Sequence, residues 1–111
     1  NFDQHLRKSS RGRVIAITSS VGAKPRAYWG AYGASKAALE TLTLAYGDEV
    51  ENISPIRVAI VDPGATATRM RAAAFPGEDA ATIQQPDAVG TAITQLVIDD
   101  FPSGHRVRIG D

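Results

Sequence analysis

Residues 13–39, RVIAITSSVGAKPRAYWGAYGASKAAL, set the architecture of the chain. Residues 13–18 form a nearly continuous apolar run after a glycine-containing turn. Such a run suits a short strand buried on both faces, as in a parallel sheet. Ser19-Ser20-Val21-Gly22 ends it, and residues 23–30, with Pro25 and Gly30, read as a loop. A helix is expected over residues 31–51, with Leu39, Leu42, Tyr46 and Val50 as its apolar stripe.

Outward from this unit the pattern repeats. Upstream, residues 1–10 are polar with scattered apolar side chains and fit the tail of a helix ending before Ser9. Downstream, residues 56–62 (IRVAIVD) form a second apolar strand, stopped by Pro63-Gly64. Residues 65–85 show no period and read as a long loop with a short helix at 69–74. Loops of that length in compact domains usually carry function. Pro86 then opens a helix with Asp87 in its first turn, and Val89, Ala92, Ile93, Leu96 and Val97 form its apolar stripe. Residues 105–109 (HRVRI) alternate, as an edge strand with one wet face does. Strand, helix, strand, helix, strand is a βαβαβ run. It predicts an α/β fold with a parallel, three-layer, Rossmann-like sheet and right-handed crossovers.

Composition narrows the function. The chain has 111 residues, one domain's worth at most, and 43% are hydrophobic, enough for a core. Twelve basic and twelve acidic residues cancel, so no charged stripe points to nucleic acid. Absence of cysteine excludes thiol and disulfide chemistry. His5 and His105 lack metal-ligand spacing and are expected on the surface, so no metal site is expected. No apolar run reaches membrane-spanning length, and a cytoplasmic location is the expectation. Trp29, Tyr28 and Tyr46 are expected to pack, with Trp29 a candidate substrate wall. Asp62 should hydrogen-bond locally, and Arg69 and Arg71 should form a solvated face.

In parallel α/β sheets, ligands bind beyond the carboxyl ends of the strands. Ser19 follows the first strand, Pro63-Gly64 follows the second, and Tyr32 and Lys36 open the intervening helix. Tyr32 and Lys36 are four residues apart and so share a helical face. A phenol has a reference pKa of about 10 and works best as an acid or base nearer neutrality. Lowering a phenol by about 3 units takes roughly 4 kcal/mol. A cation about 4 Å away supplies about 1 kcal/mol in water but about 4 at a partly desolvated site. The pair therefore needs walls. A hydroxyl, a phenol and an ammonium at one rim suit proton transfer to or from a carbonyl or an alcohol.

Three segments carry a resemblance: GRVIAITSSVG at 12–22, YGASKAAL at 32–39 and VDPGATATRM at 61–70. In this order and spacing they resemble the C-terminal half of a short-chain dehydrogenase/reductase. WGAYGASK at 29–36 and MRAAAFPGED at 70–79 are most similar to the YciK-type subgroup. The resemblance implies that Tyr32 is the catalytic acid/base and that Lys36 tunes it and binds the nicotinamide ribose. The family's serine usually lies thirteen residues before the tyrosine and three before a glycine. Ser19 meets both counts and Ser20 neither, so Ser19 is the expected catalytic serine, with Ser20 its rival. Pro63 and Gly64 match the turn that passes the nicotinamide. Thr66 and Thr68 match positions that contact its carboxamide and the phosphate. The implied cofactor is NAD or NADP, the implied substrate a small carbonyl or alcohol. The helix at 31–51 resembles the family's dimer helix, implying a homo-oligomer.

The departures are equally specific. No TGxxxGxG phosphate loop, adenosine-ribose selector or NNAG strand occurs in the chain, and Asn1 lies too close to Ser19 to stand for the family's catalytic asparagine. The nucleotide-binding half is expected to be missing. These 111 residues alone should therefore associate through the open edge of the first strand and be inactive. The alternative is a non-catalytic piece acting only through packing. An epimerase or dehydratase of the extended branch shares the Tyr/Lys pair, but the short tail and the PGxxxT motif oppose it.

Overall fold

In the strand Arg57–Asp62, Val58, Ala59, Ile60 and Val61 are all 0% exposed. A strand dry on both faces and both edges must be central. The computed structural model, which describes residues 1–110, places it there as β2. On one side lies β1 (Arg13–Ile17), on the other β3 (His105–Arg108), both parallel to it. Ala16 faces Ile60 in the first ladder, and Ile60 faces Arg106 in the second. The chain thus has the parallel α/β, Rossmann-like architecture expected from its sequence. The helices are α1 (Asp3–Lys8), α2 (Ser20–Ala23), α3 (Gly30–Val50), α4 (Arg69–Ala74) and α5 (Pro86–Asp99), with a 3-10 turn at Ala80–Thr82.

Several boundaries match the sequence reading: α1, α4, and an α5 whose less exposed positions are Val89, Ala92, Ile93, Leu96 and Val97. On β3, Val107 is half-buried between exposed arginines. β1 is an edge strand among the described residues. Its Val14 and Ile15 are only half-buried and Ile17 is 39% exposed, so its apolar surface is incompletely covered.

The packing face of α3 corrects the expectation. Its buried residues are Gly33, Glu40, Thr43, Gly47 and Val50, whereas Leu42 is 70% exposed. The reason is proximity. A Cβ at Gly47 would lie 2.5 Å from Val58 Cγ2, so α3 sits directly on β2 and only a small residue fits between them. Tyr46 packs as expected, donating its hydroxyl to Asp3 Oδ1 at 2.7 Å and tying α1 to α3. Tyr28 does not: it is fully exposed in a left-handed conformation (φ 69°). His105 is half-buried and stacks on Phe101.

At the sheet's opposite end, Asp100 joins β1 to β2. Its carboxylate accepts from Arg13 Nε and Nη2 at 2.7 and 2.8 Å and from Arg57 Nη1 at 2.9 Å. These bonds, led by Arg13, hold its carboxyl well below the usual carboxylate range. Glu40 is lowered too, first by Arg106 and then by Thr18, against the opposing effect of burial. Both pKa values are depressed in the folded state. Their stabilisation is therefore complete above the unfolded carboxylate range, about pH 4, and is lost as pH falls through the folded values. Thermal unfolding should be nearly flat from pH 7 to about 5 and fall steeply below about 4. Asp100→Asn should lower stability at neutral pH and flatten that acid limb. An unchanged limb would remove Asp100 from the account.

Candidate active site

Two strand ends and the first turns of α3 build the site. Pairing of β1 continues one residue beyond the strand, where the Thr18 amide donates to Val61 O at 2.8 Å. The chain then turns. Ser19 caps α2, its Oγ accepting from the Val21 amide at 3.3 Å. That bond orients the hydroxyl and uses only its acceptor, and among the described residues nothing takes its proton. Ser20 is the exposed first residue of α2.

Glycines bring this turn onto α3. A Cβ at Gly22 would lie 3.0 Å from Lys36 Cβ, and one at Gly33 would lie 2.9 Å from Val21 O. Such close backbone approach seats α2 against the helical turn that carries Tyr32 and Lys36. Lys36 Nζ donates to Ile17 O at 3.2 Å, tying α3 to the strand that leads into Ser19. The ammonium lies 5.7 Å from the centre of the Tyr32 ring. Among the described residues the Tyr32 hydroxyl has no hydrogen-bond partner. Trp29 meets the same ring edge-on at 5.7 Å.

The far rim follows β2. Asp62 accepts from the Gly64 amide at 3.0 Å and pairs with Arg108 Nη1 at 2.7 Å, so it bonds locally as expected. Gly64 has φ +71°, a left-handed conformation that glycine adopts without cost. Thr66 Oγ1 donates to Gly64 O at 3.2 Å. Thr68 caps α4 through its Oγ1, which accepts from the Arg71 amide at 3.1 Å. Gln84 Nε2 donates to Pro63 O at 2.5 Å and closes the base of the loop. Ser19, Tyr32, Lys36, Pro63, Gly64, Thr66 and Thr68 all line one open cleft of about 620 Å³, as does Ser20. The structure thus brings every site residue expected from the sequence to one cavity.

Two features escaped the sequence reading. Beneath the site, Thr18 Oγ1 donates to Glu40 Oε1, and Arg106 Nη2 donates to Glu40 Oε2 at 2.9 Å. This buried carboxylate links the end of β1, the middle of α3 and β3. Its signal was a lone acid on the small-residue face of α3, seven residues after Gly33 and seven before Gly47. The second is at the rim. Arg71 is not a solvated residue: it is half-buried, forks onto Glu78 at 2.8 and 2.9 Å and lies 3.8 Å over the Phe75 ring. Because α4 ends at Ala74, Phe75 and Glu78 reach Arg71 from the turn that follows the helix, and helical spacing gave no signal of the contact.

Comparison with known proteins now bears on this cleft. The family model described as short chain dehydrogenase matches residues 2–79. The chain belongs to the short-chain dehydrogenase family. Among its relatives is the uncharacterized oxidoreductase YciK of Escherichia coli K12. It is 41% identical over 95 residues, which cover 86% of this chain and 37% of the relative. The 2,3-dihydro-2,3-dihydroxybenzoate dehydrogenase of the same organism is 38% identical over 75 residues, covering 68% of this chain and 30% of the relative. Among solved structures, a short chain dehydrogenase from Salmonella enterica serovar Typhi aligns with a TM-score of 0.85 at 36% identity, covering 93% of this chain and 43% of that one. A short chain dehydrogenase from Shigella flexneri, complexed with NADP, aligns at 0.84 and 36%, with the same coverage. The chain thus spans less than half the length of these short-chain dehydrogenases. Among the described residues, no helix is long and apolar enough to cross a membrane.

Proposed function

We propose that this chain is the C-terminal, catalytic half of an NAD(P)-dependent oxidoreductase that interconverts a small carbonyl compound and its alcohol. The observation that carries the reading is the cleft itself. A serine hydroxyl and a phenol whose protons meet no acceptor among the described residues, and an ammonium tied to the strand before the serine, all open onto it.

In reduction, the Tyr32 hydroxyl gives its proton to the carbonyl oxygen; in oxidation the Tyr32 phenolate takes the proton from the alcohol. Ser19 donates its proton to the same oxygen as negative charge develops there, the stabilisation that preorganised donors supply best. The Lys36 ammonium, already oriented by Ile17 O, favours the phenolate form of Tyr32. The donor set also fits the nicotinamide-ribose end of a dinucleotide. Lys36 would hold the ribose hydroxyls, the glycine turn at Pro63-Gly64 would admit the ring, and Thr66 and Thr68 would serve the carboxamide and phosphate. A bound NAD or NADP supplies the hydride chemistry. Leu42, 70% exposed on the Leu39/Leu42/Tyr46 face of α3, supports the further reading that this helix face joins copies in a homo-oligomer.

Lys36→Ala in the full-length protein tests the double role. Loss of a charged hydrogen bond is worth about 1.5–3 kcal/mol, so the cofactor Kd should rise roughly tenfold or more, and turnover should fall with it. Calorimetric titration with NADH and NADPH, beside steady-state rates, checks this. Turnover lost at unchanged cofactor affinity would confine Lys36 to tuning Tyr32.

A further inference from the structure

Resting on the reading that Tyr32 works on a carbonyl or alcohol, we propose that the wall beside it selects substrates whose reacting carbon is bonded directly to a flat aromatic ring. The wall is made by Trp29 and Phe75. Trp29 stands three residues before Tyr32, and its backbone oxygen accepts the Gly33 amide at 2.8 Å, which fixes it in the opening turn of α3. Its indole meets the Tyr32 phenol edge-on, with centroids 5.7 Å apart and planes at 78°. Phe75, at the end of α4, stacks on that indole at 5.8 Å and 15°. All three rings line the cleft.

What lies over Phe75 in the same cleft decides the character of the wall. The Arg71 guanidinium lies 3.8 Å over Phe75, and Glu78 takes it by two hydrogen bonds at 2.8 and 2.9 Å. The cation is thus neutralised and immobilised, and it braces Phe75 against Trp29. Trp29 and Phe75 thus form a braced aromatic surface on which the Arg71 charge is already paired. Such a surface favours a ligand that is itself aromatic, because offset and edge-to-face ring pairs gain attraction beyond the area they bury. A saturated ring of the same size buries similar area without that gain. Because Trp29 touches the Tyr32 ring, a ligand ring resting on the wall carries its attached carbonyl toward the phenol. Scaled from typical ring pairs, the preference for an aromatic over a saturated ring should be about 3- to 10-fold.

The test is binding, separate from turnover. The full-length protein, saturated with NADP⁺, is titrated by calorimetry with acetophenone and with cyclohexyl methyl ketone. Neither ketone can be reduced by the oxidised cofactor, so the heats report binding alone. Acetophenone should bind about 3- to 10-fold more tightly. Phe75→Leu and Trp29→Leu, each checked for a native circular dichroism spectrum, should both bring the ratio near one. Equal affinities in the wild type, no binding of either ketone, or a preference that survives in both variants would overturn the proposal. Rates with NADPH and with NADH then judge the chemistry. Selective binding without reduction would remove the oxidoreductase reading and leave the wall standing. Reduction without selective binding would do the reverse.

Discussion

Tyr32→Phe in the full-length protein should lower turnover by on the order of 10²- to 10⁴-fold, the usual worth of a positioned acid or base. Cofactor affinity should barely move. The substitution removes one oxygen atom that bonds to no described residue and leaves the ring in place. Its edge contact with Trp29 and its position beneath Lys36 do not depend on the hydroxyl. Stability should therefore be nearly unchanged, and the loss should fall on kcat and kcat/KM together, as for a contact made only in the transition state. Steady-state kinetics with cofactor titration measures this directly. Turnover like that of the wild type would end the acid/base assignment.

Ser19→Ala should cost on the order of 10²- to 10³-fold in turnover, the scale of losing one donor to a developing oxyanion. Ser20→Ala should cost much less. The distinction rests on how each hydroxyl is held. The Val21 amide fixes the Ser19 oxygen from behind, so its proton can point into the cleft. Ser20 sits exposed at the start of α2, and its hydroxyl bonds to none of the described residues. Ser19 is also a helix cap, so Ser19→Ala should cost about 1 kcal/mol of stability, too little to explain the expected loss of rate. Ser19→Thr, which keeps both the cap and the donor, should recover part of it. The reverse ranking of the two alanine variants would move the assignment to Ser20.

Much of this architecture was legible because its signals are local. β1 and β2 are legible as strands because each holds four consecutive apolar residues, but that signal does not tell centre from edge: the structure puts β2 in the middle and leaves β1, expected to be buried on both faces, half-covered. The α5 stripe follows the helical period closely, and Pro86 marks its start. The site was legible through spacing: two strand ends and one helical turn fix where Ser19, Tyr32, Lys36, Pro63 and Gly64 must lie. The packing face of α3 was not legible, for a physical reason. Apolar periodicity seeks large side chains, but this helix packs through Gly33, Gly47 and Thr43 because close approach to the sheet leaves no room for larger ones. Leucines at 42 and 44 are left outside. The same blindness hid Glu40, an acid whose burial is made tolerable by Thr18 and Arg106, both distant in sequence. Arg71 was misread because a lone arginine in a polar segment usually faces water. Its partners Phe75 and Glu78 become visible only once the turn after α4 is known.

In the proposed reaction Ser19 and Tyr32 act on one substrate oxygen. That shared action is read from kcat/KM of the Ser19→Ala/Tyr32→Phe double variant beside the two single variants. Groups that work as a unit are strongly non-additive, so the double variant should be little worse than the poorer single one. A double loss equal to the product of the two single losses would mean that the residues act independently, and it would contradict the shared site.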